Sequence, residues 1–471
     1  MDKIEAKLHS AEQLRNKLEM MAQTLRKLPN VKDYNVRLTP EEVGYSGEGM
    51  ATLFIQKAID AVAEQGGGTV VLQKGEYVSG TLVLRSNVRL YIEEGCRLLG
   101  STRLEDYEEH IALRRTVMDT NMGMNQSLIY AEGCDNISIC GKGMIDGQGT
   151  QNHFPGEETV HGTPGRPFLM RIIDCSNVHM KDITLKDAAC WMQNYLNCEN
   201  VVLEGIHVEN QANYNNDGID IDGCRNVWIH HCYVSSGDDA LCFKGASQKN
   251  CECVLVEDCT FYSSCNALKF GTDTQGDFRD ILIQNCKLSG MTEEMRHIKN
   301  LAADSGISIE MLDGGAVENV YIRNIEMEHC LSPLFMRLEN RGRVKPEDEK
   351  PPIGTIRNIV IENVTGNDCG PRGSYFLGVP EKCIEDVILK NIVIHQKVTQ
   401  KPITNENDFD EMYGVYPDAH MIDQIGDAPA YGLWTRHVKG IILYSYQVIP
   451  DGVDERPLIV AVNDSGIIEL Q

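Results

Sequence analysis

The chain has 471 residues, 42% hydrophobic and 24% charged, enough to bury a large core. Lysine and arginine total 44 against 69 acidic residues, a net charge of −25, which disfavours nucleic acid, anionic membrane surfaces and long polyanionic substrates unless cations are focused locally. The first residues hold no secretory-type apolar core and no stretch is long enough for a membrane span, so a cytoplasmic protein whose seventeen cysteines are free thiols is expected.

Ile4, Leu8, Ala11, Leu14, Leu18, Met21, Leu25 and Leu28 step by three and four residues and stop at Pro29, the stripe of an amphipathic helix. Residues 1–30 are therefore a helical extension that either packs on the body or joins subunits into a homo-oligomer. A second helix is predicted over 52–68, TLFIQKAIDAVAEQGGG, stopped by glycines and suited to cap the open end of a repeat array. Residues 40–471 read as one domain.

From residue 135 one phrase recurs: DNISICGKG, SNVHMKDITL, ENVVLEGIHV, RNVWIHHCYV, CVLVEDCTF, RDILIQNCKL, ENVYIRNIEM, RNIVIENVTG and EDVILKNIVI. Its first apolar residues are Ile137, Val178, Val201, Val227, Val254, Ile281, Val320, Ile359 and Val387, with steps of 41, 23, 26, 27, 27, 39, 39 and 28 residues. Each unit is a set of short alternating strands with Gly, Asn and Asp at the corners, and none can bury its apolar face alone. The recurring leucines and helical stretches of leucine-rich repeats are missing, so an all-β parallel β-helix is expected. Five residues after the anchors, Ile183, Ile206, Cys232, Cys259, Cys286, Ile325, Val364 and Ile392 form a second inward column, which gives several cysteines a packing role.

Within this array GIDIDG at 218, DALCFKG at 239, NALKFG at 266 and GISIEM at 306 superpose when Ile219, Leu241, Leu268 and Ile307 share one inward column and Ile221, Phe243, Phe270 and Ile309 the next. The period of two then sends Asp220, Cys242, Lys269 and Ser308 outward, followed by Asp222, Lys244, Gly271 and Glu310. Asp217, Asp239, Asn266 and Ser305 make a third outward column. Asp217 and Asp239 are 22 residues apart, one coil, on rungs about 4.8 Å apart, with Asp238 beside them. Three carboxylates on one face raise at least one proton affinity and separate a proton donor from proton acceptors, as cleavage of an acetal requires. Lys244 and Lys269 read either as cations of the active face or as salt partners of Asp222 and Asp220 one rung away. Trp191 reads as a sugar-stacking platform or a core residue. The insertions MTEEMRHIKNLAADS at 291 and NRGRVKPEDEK at 340 are expected to wall a groove into a pocket.

From about residue 45 onward the chain resembles glycoside hydrolase family 28, the polygalacturonase family. The resemblance rests on GGGTVVLQKGEYVSGTLVLRSNVRLYIEEGCRLLGS, IDGQG, GRPFLMRIIDCSNV, NNDGIDID, SGDDALCFK and PAYGLWTRHVKG. The family's N-T-D stands as Asn215, Asn216, Asp217 and its D-D as Asp238, Asp239. The resemblance implies a right-handed, pectin-lyase-like solenoid, inversion at the anomeric carbon, Asp238 as general acid, Asp217 and Asp239 as activators of water, and no metal or organic cofactor. The family's G-H-G is replaced by Cys265, Asn266, Ala267 and its R-I-K by Ser308, Ile309, Glu310, which removes the cations that help hold a galacturonate carboxylate. The expectation is an inverting, exo-acting hydrolase of a short oligosaccharide or glycoside, pectin-derived or from a related plant glycan, with a neutral sugar at the cleaved position. Asn266, Lys269, Lys244, Glu310 and Trp191 are its expected substrate-binding residues. The alternatives are an exo-polygalacturonase, a calcium-dependent uronide lyase or epimerase using Asp217, Asp220 and Asp222, and a non-catalytic carbohydrate-binding β-helix.

Overall fold

The structure, a computed structural model, describes residues 3–30, 32–113, 116, 125–157, 165–295, 299–399, 419 and 426–470. Ile137, Val178, Val201, Val227, Val254, Ile281, Val320, Ile359 and Val387 are partners coil after coil in parallel strands. The second inward column, Ile183 to Ile392, is buried throughout. The expected right-handed parallel β-helix is the observed fold.

The corners are built by asparagine. Asn200 and Asn226 each precede an anchor in the left-handed region, with φ of 56°, a conformation that short amide side chains tolerate better than most. Their amides donate to the residue one coil back, Asn200 to Asn177 and Asn226 to Asn200, both at 3.0 Å. A second ladder runs Asn285, Asn324, Asn363, Asn391. At another corner Cys175, Cys198, Cys224 and Cys251 stack, their thiols donating to the carbonyls of Ile173, Ile172, Tyr195 and Ile221. The thiols thus meet backbone carbonyls that a bend would otherwise leave buried and unpaired, while the asparagine amides bond to one another's side-chain oxygens from coil to coil.

Helix α2, Thr52–Glu64, buries Ile55, Ala58, Ile59 and Val62 against the first coils and caps the core, as a solenoid end requires. A Cβ on Gly68 would meet the Val62 Cβ at 2.7 Å, so glycine lets the strand Gly68–Leu72 pass under the helix.

Helix α1, Lys3–Leu25, lies on the outside of the solenoid. Leu14, Leu18, Ala22 and Leu25 are buried against Leu255, Leu282, Tyr321, Val360, Ile388 and Ile442, an outward apolar column contributed by successive coils. Of the two placements open to the stripe, the structure has it packed on the body. Ion pairs fix it there: Lys7 with Asp386 at 2.5 Å, Lys17 with Asp280 at 2.7 Å, Arg26 with Glu257 at 2.6 Å and Glu19 with Arg323 at 2.9 Å. Among the described residues no helix is long and apolar enough to cross a membrane.

One sheet carries the acidic coils. Its strands Ile219–Asp222, Leu241–Lys244, Asn266–Phe270, Ala303–Met311 and Cys330–Leu338 hold the expected register. Ile219, Leu241, Leu268, Ile307 and Leu334 form one inward column, and Ile221, Phe243, Phe270, Ile309 and Met336 the next. Asp220, Cys242, Lys269 and Ser308 are therefore partners on the outer face.

Candidate active site

The chain ahead of Asp217 is locked by asparagines. Asn216 donates to the carbonyls of Ala188 and Cys190, and Asn210 donates to the Asp217 carbonyl at 2.9 Å. One coil on, Ser236 and Ser263 both donate to the Asp238 carbonyl, at 2.7 and 2.6 Å. The Asp239 amide donates to Asp238 Oδ1 at 3.1 Å. Strand backbone and hydroxyls thus hold the acidic pair at the entry of a strand, where a mobile loop would not keep two like charges together.

Asp217, Asp238 and Asp239 share the outer face, and they differ in depth. The side chains of Asp217 and Asp239 are 5% and 3% exposed, that of Asp238 14%, so Asp238 stands at the mouth. Each faces an ammonium. Lys244 lies 3.5 Å from Asp217 Oδ2 and 3.3 Å from Asp220 Oδ1, Lys269 lies 3.1 Å from Asp239 Oδ2, and Lys299 lies 3.1 Å from Asp238 Oδ2. Asn266 donates to Asp239 Oδ1 at 2.8 Å and accepts from Ser305 at 2.6 Å, which fixes its amide orientation.

Burial and the neighbouring Asp220 push Asp217 well above the usual carboxylate range, against Lys244. Asp220 is pushed up to about 7 by burial, opposed by Lys244 and reinforced by Asp239, and Asp222 to about 8 by burial and then by Asp273. Because their folded-state proton affinity exceeds the unfolded value near 4, these groups contribute stability fully below about pH 4 and lose it as pH rises through 7 to 8. Asp222→Asn, which keeps an acceptor for the Ala246 amide now on Asp222 Oδ1 at 3.0 Å, is expected to stabilise the protein by about 1–3 kcal/mol at pH 9 and little at pH 5. Melting temperatures at the two pH values check this. A difference that does not widen with pH contradicts it.

The lysines are salt partners of carboxylates, as one of the two readings had it, but the set is Asp217, Asp220 and Asp239 rather than Asp222 and Asp220. Lys244 is in register with Asp222 but extends diagonally to Asp217 and Asp220, and Lys269 turns to Asp239 rather than Asp220. The Lys244 ammonium also sits over the Trp191 ring, 4.4 Å from its centroid, a favourable placement for a desolvated cation. Trp191 is itself buried, with its edge against Phe168. Glu310 is fully buried, accepts from Ser308 at 2.5 Å and is the register partner of Arg337, which pairs with Glu339 at 3.0 Å. The calcium triad does not suit this arrangement: the Lys244 ammonium already stands against Asp217 and Asp220, and Asp222 is turned to a backbone amide.

Three basic residues at the site escaped sequence reasoning. Lys299 belongs to the 291 insertion, which read only as a wall, and residues 296–298 of that insertion lie outside the described residues. Arg166 donates to the Tyr214 carbonyl at 2.6 Å and to Asn215 Oδ1 at 2.8 Å, bracing the turn before Asp217. Arg337 was within reach, since LFMRLE continues the column of GISIEM by one coil.

Residues 80–411 match the sequence model of glycosyl hydrolases family 28. The chain belongs to that family. Among curated proteins, this family 28 glycoside hydrolase is 23% identical over 384 residues to "Probable polygalacturonase" of Vitis vinifera, covering 77% of this chain and 75% of the relative. It is 23% identical to "Exopolygalacturonase X-1" of Emericella nidulans, covering 72% and 79%. Its fold is shared with an exopolygalacturonase from Thermotoga maritima (TM-score 0.67, 17% identity, 92% and 96% covered). It is shared equally with the family 28 exopolygalacturonase of Yersinia enterocolitica (TM-score 0.68, 19% identity, 93% and 78% covered).

Proposed function

We propose that this family 28 hydrolase cleaves with inversion and removes a terminal neutral sugar from short, pectin-derived oligosaccharides. Asp238, the most exposed of the three carboxylates, faces the leaving oxygen as general acid. Asp239, held by Asn266 and Lys269, and Asp217, beside Lys244, activate the water as general bases. The exo mode follows the exopolygalacturonases among the relatives and the 291 insertion, whose Lys299 reaches Asp238.

The observation that carries the neutral-sugar reading is the commitment of the two inner lysines. Lys244 and Lys269, each 6% exposed, are paired with Asp217, Asp220 and Asp239, and the buried Glu310 stands where the family's cation is expected. A sugar carboxylate placed there adds a charge to a site already rich in them, at a desolvation cost worth orders of magnitude in kcat/KM. The test compares a galactoside with the matching galacturonide, with product analysis for release of a single sugar. The galactoside is expected to be hydrolysed at least tenfold faster. Faster hydrolysis of the galacturonide replaces this reading with an exo-polygalacturonase, and its loss in Lys269→Ala identifies the cation responsible.

A further inference from the structure

Lys299 poses a chemical problem for a general acid. A proton donor must hold a proton, and an ammonium 3.1 Å from a carboxylate oxygen favours the ionised form. Among the described residues, Asp239, Asp217 and Arg166 stand near Asp238, and Arg166 feels its charge. Asp239 takes Lys269, Asp217 takes Lys244, and Arg166, from the segment before residue 168, is turned to Tyr214 and Asn215. Cys265 lies with Asp238 and Asp239 in a group whose ligand atoms are within 4.8 Å of one another, and its thiol accepts the Asn266 amide. Lys299 differs from the two inner lysines in position. It comes from an insertion rather than a strand, and its side chain is 12% exposed, at the mouth with Asp238. Its long stem can exchange partners without disturbing a rung.

A ligand that draws Lys299 away must offer it an anion on the leaving side of the scissile bond. We infer that Lys299 is handed from Asp238 to a carboxylate on the leaving sugar, so that a uronate in that position both docks the substrate and arms the acid. The substrate class is then a neutral sugar glycosidically linked to a uronate. This rests on the reading of Asp238 as the acid. The charges balance: the uronate brings one negative charge, Asp238 takes up one proton from solvent, and the ammonium remains paired. In the bond-breaking step that proton goes to the leaving oxygen as its bond to the anomeric carbon breaks. Water oxygen forms the new bond and gives its proton to Asp217 or Asp239, which releases it to solvent as the products leave, while Asp238, ionised again beside Lys299, takes up its next proton only when another uronate binds.

The test is calorimetric binding of sodium D-galacturonate and of D-galactose to the whole protein near pH 7, in two buffers of different ionisation enthalpy. Galacturonate is expected to bind the wild type with uptake of up to one proton. Lys299→Gln is expected to bind it at least tenfold more weakly with no uptake, Lys299→Arg to keep most of the affinity, and galactose to bind all three alike. Unchanged galacturonate affinity in Lys299→Gln, or binding to the wild type with no proton uptake, overturns the handover. Because the readout is binding, it stands apart from the galactoside comparison: a preference for galacturonides in turnover removes the neutral terminal sugar and leaves the handover to be decided by the calorimeter.

Discussion

Asp238→Asn is expected to lower turnover by about 10²- to 10⁴-fold, the effect of losing a general acid, while the melting temperature stays close to that of the wild type. The backbone of residue 238 is held by Ser236 and Ser263 through its carbonyl, so the substitution leaves the turn in place, and the amide keeps an oxygen for the Asp239 N–H. What it removes is the proton. Asp217→Asn and Asp239→Asn are each expected to be comparably impaired, and proton NMR of the first-formed sugar should show the anomeric configuration opposite to that of the substrate. Near wild-type turnover in Asp238→Asn removes the assignment of the acid, and a retained configuration removes the single-displacement mechanism.

Deleting residues 1–28 is the change with the largest expected effect on stability. It uncovers Leu255, Leu282, Tyr321, Val360, Ile388 and Ile442 together with four ion-pairing positions. A solenoid coil contacts only its neighbours, whereas α1 ties the coil of Glu257 to the coil of Asp386, so its removal also lowers cooperativity. The truncated protein is expected to melt at a lower temperature over a broader range and to associate through the uncovered column, read by calorimetry and light scattering. Leu18→Ala, at a fully buried position, is the milder form and is expected to cost about 2–5 kcal/mol of helix docking. If neither the melting curve nor the mass changes in the truncated protein, α1 contributes nothing to the body.

The coil register was readable because strand periodicity is strict: one slip would turn Val227 or Ile281 outward, so the inward columns and the outward acidic face followed from spacing alone. The seat of α1 was not, although its stripe was plain. The residue between two inward anchors is His179 in one coil and Leu255, Leu282, Tyr321, Val360 or Ile388 in later ones, and that shift from polar to apolar gains meaning only once the coils are stacked. Lys299 and Arg166 lie in connections without a period, where sequence carries no information about direction. The seat of the Lys244 ammonium over the Trp191 ring is a contact between coils that no spacing rule encodes.

The cysteine stack at the solenoid corner bears on how this protein meets oxidants. All seventeen cysteines are free, and burial pushes the Cys198 and Cys251 thiols well above their ordinary range, leaving almost none of the thiolate that attacks a disulfide or a peroxide. Neighbouring coils thus carry sulfur atoms past one another as inert packing, in a reducing or an oxidising medium alike. For Cys198 and Cys251, cross-linking between adjacent coils is a hazard of the time when the coils are being laid down, which separates them from Cys134, Cys253 and Cys383, whose thiols stay partly exposed in the finished fold.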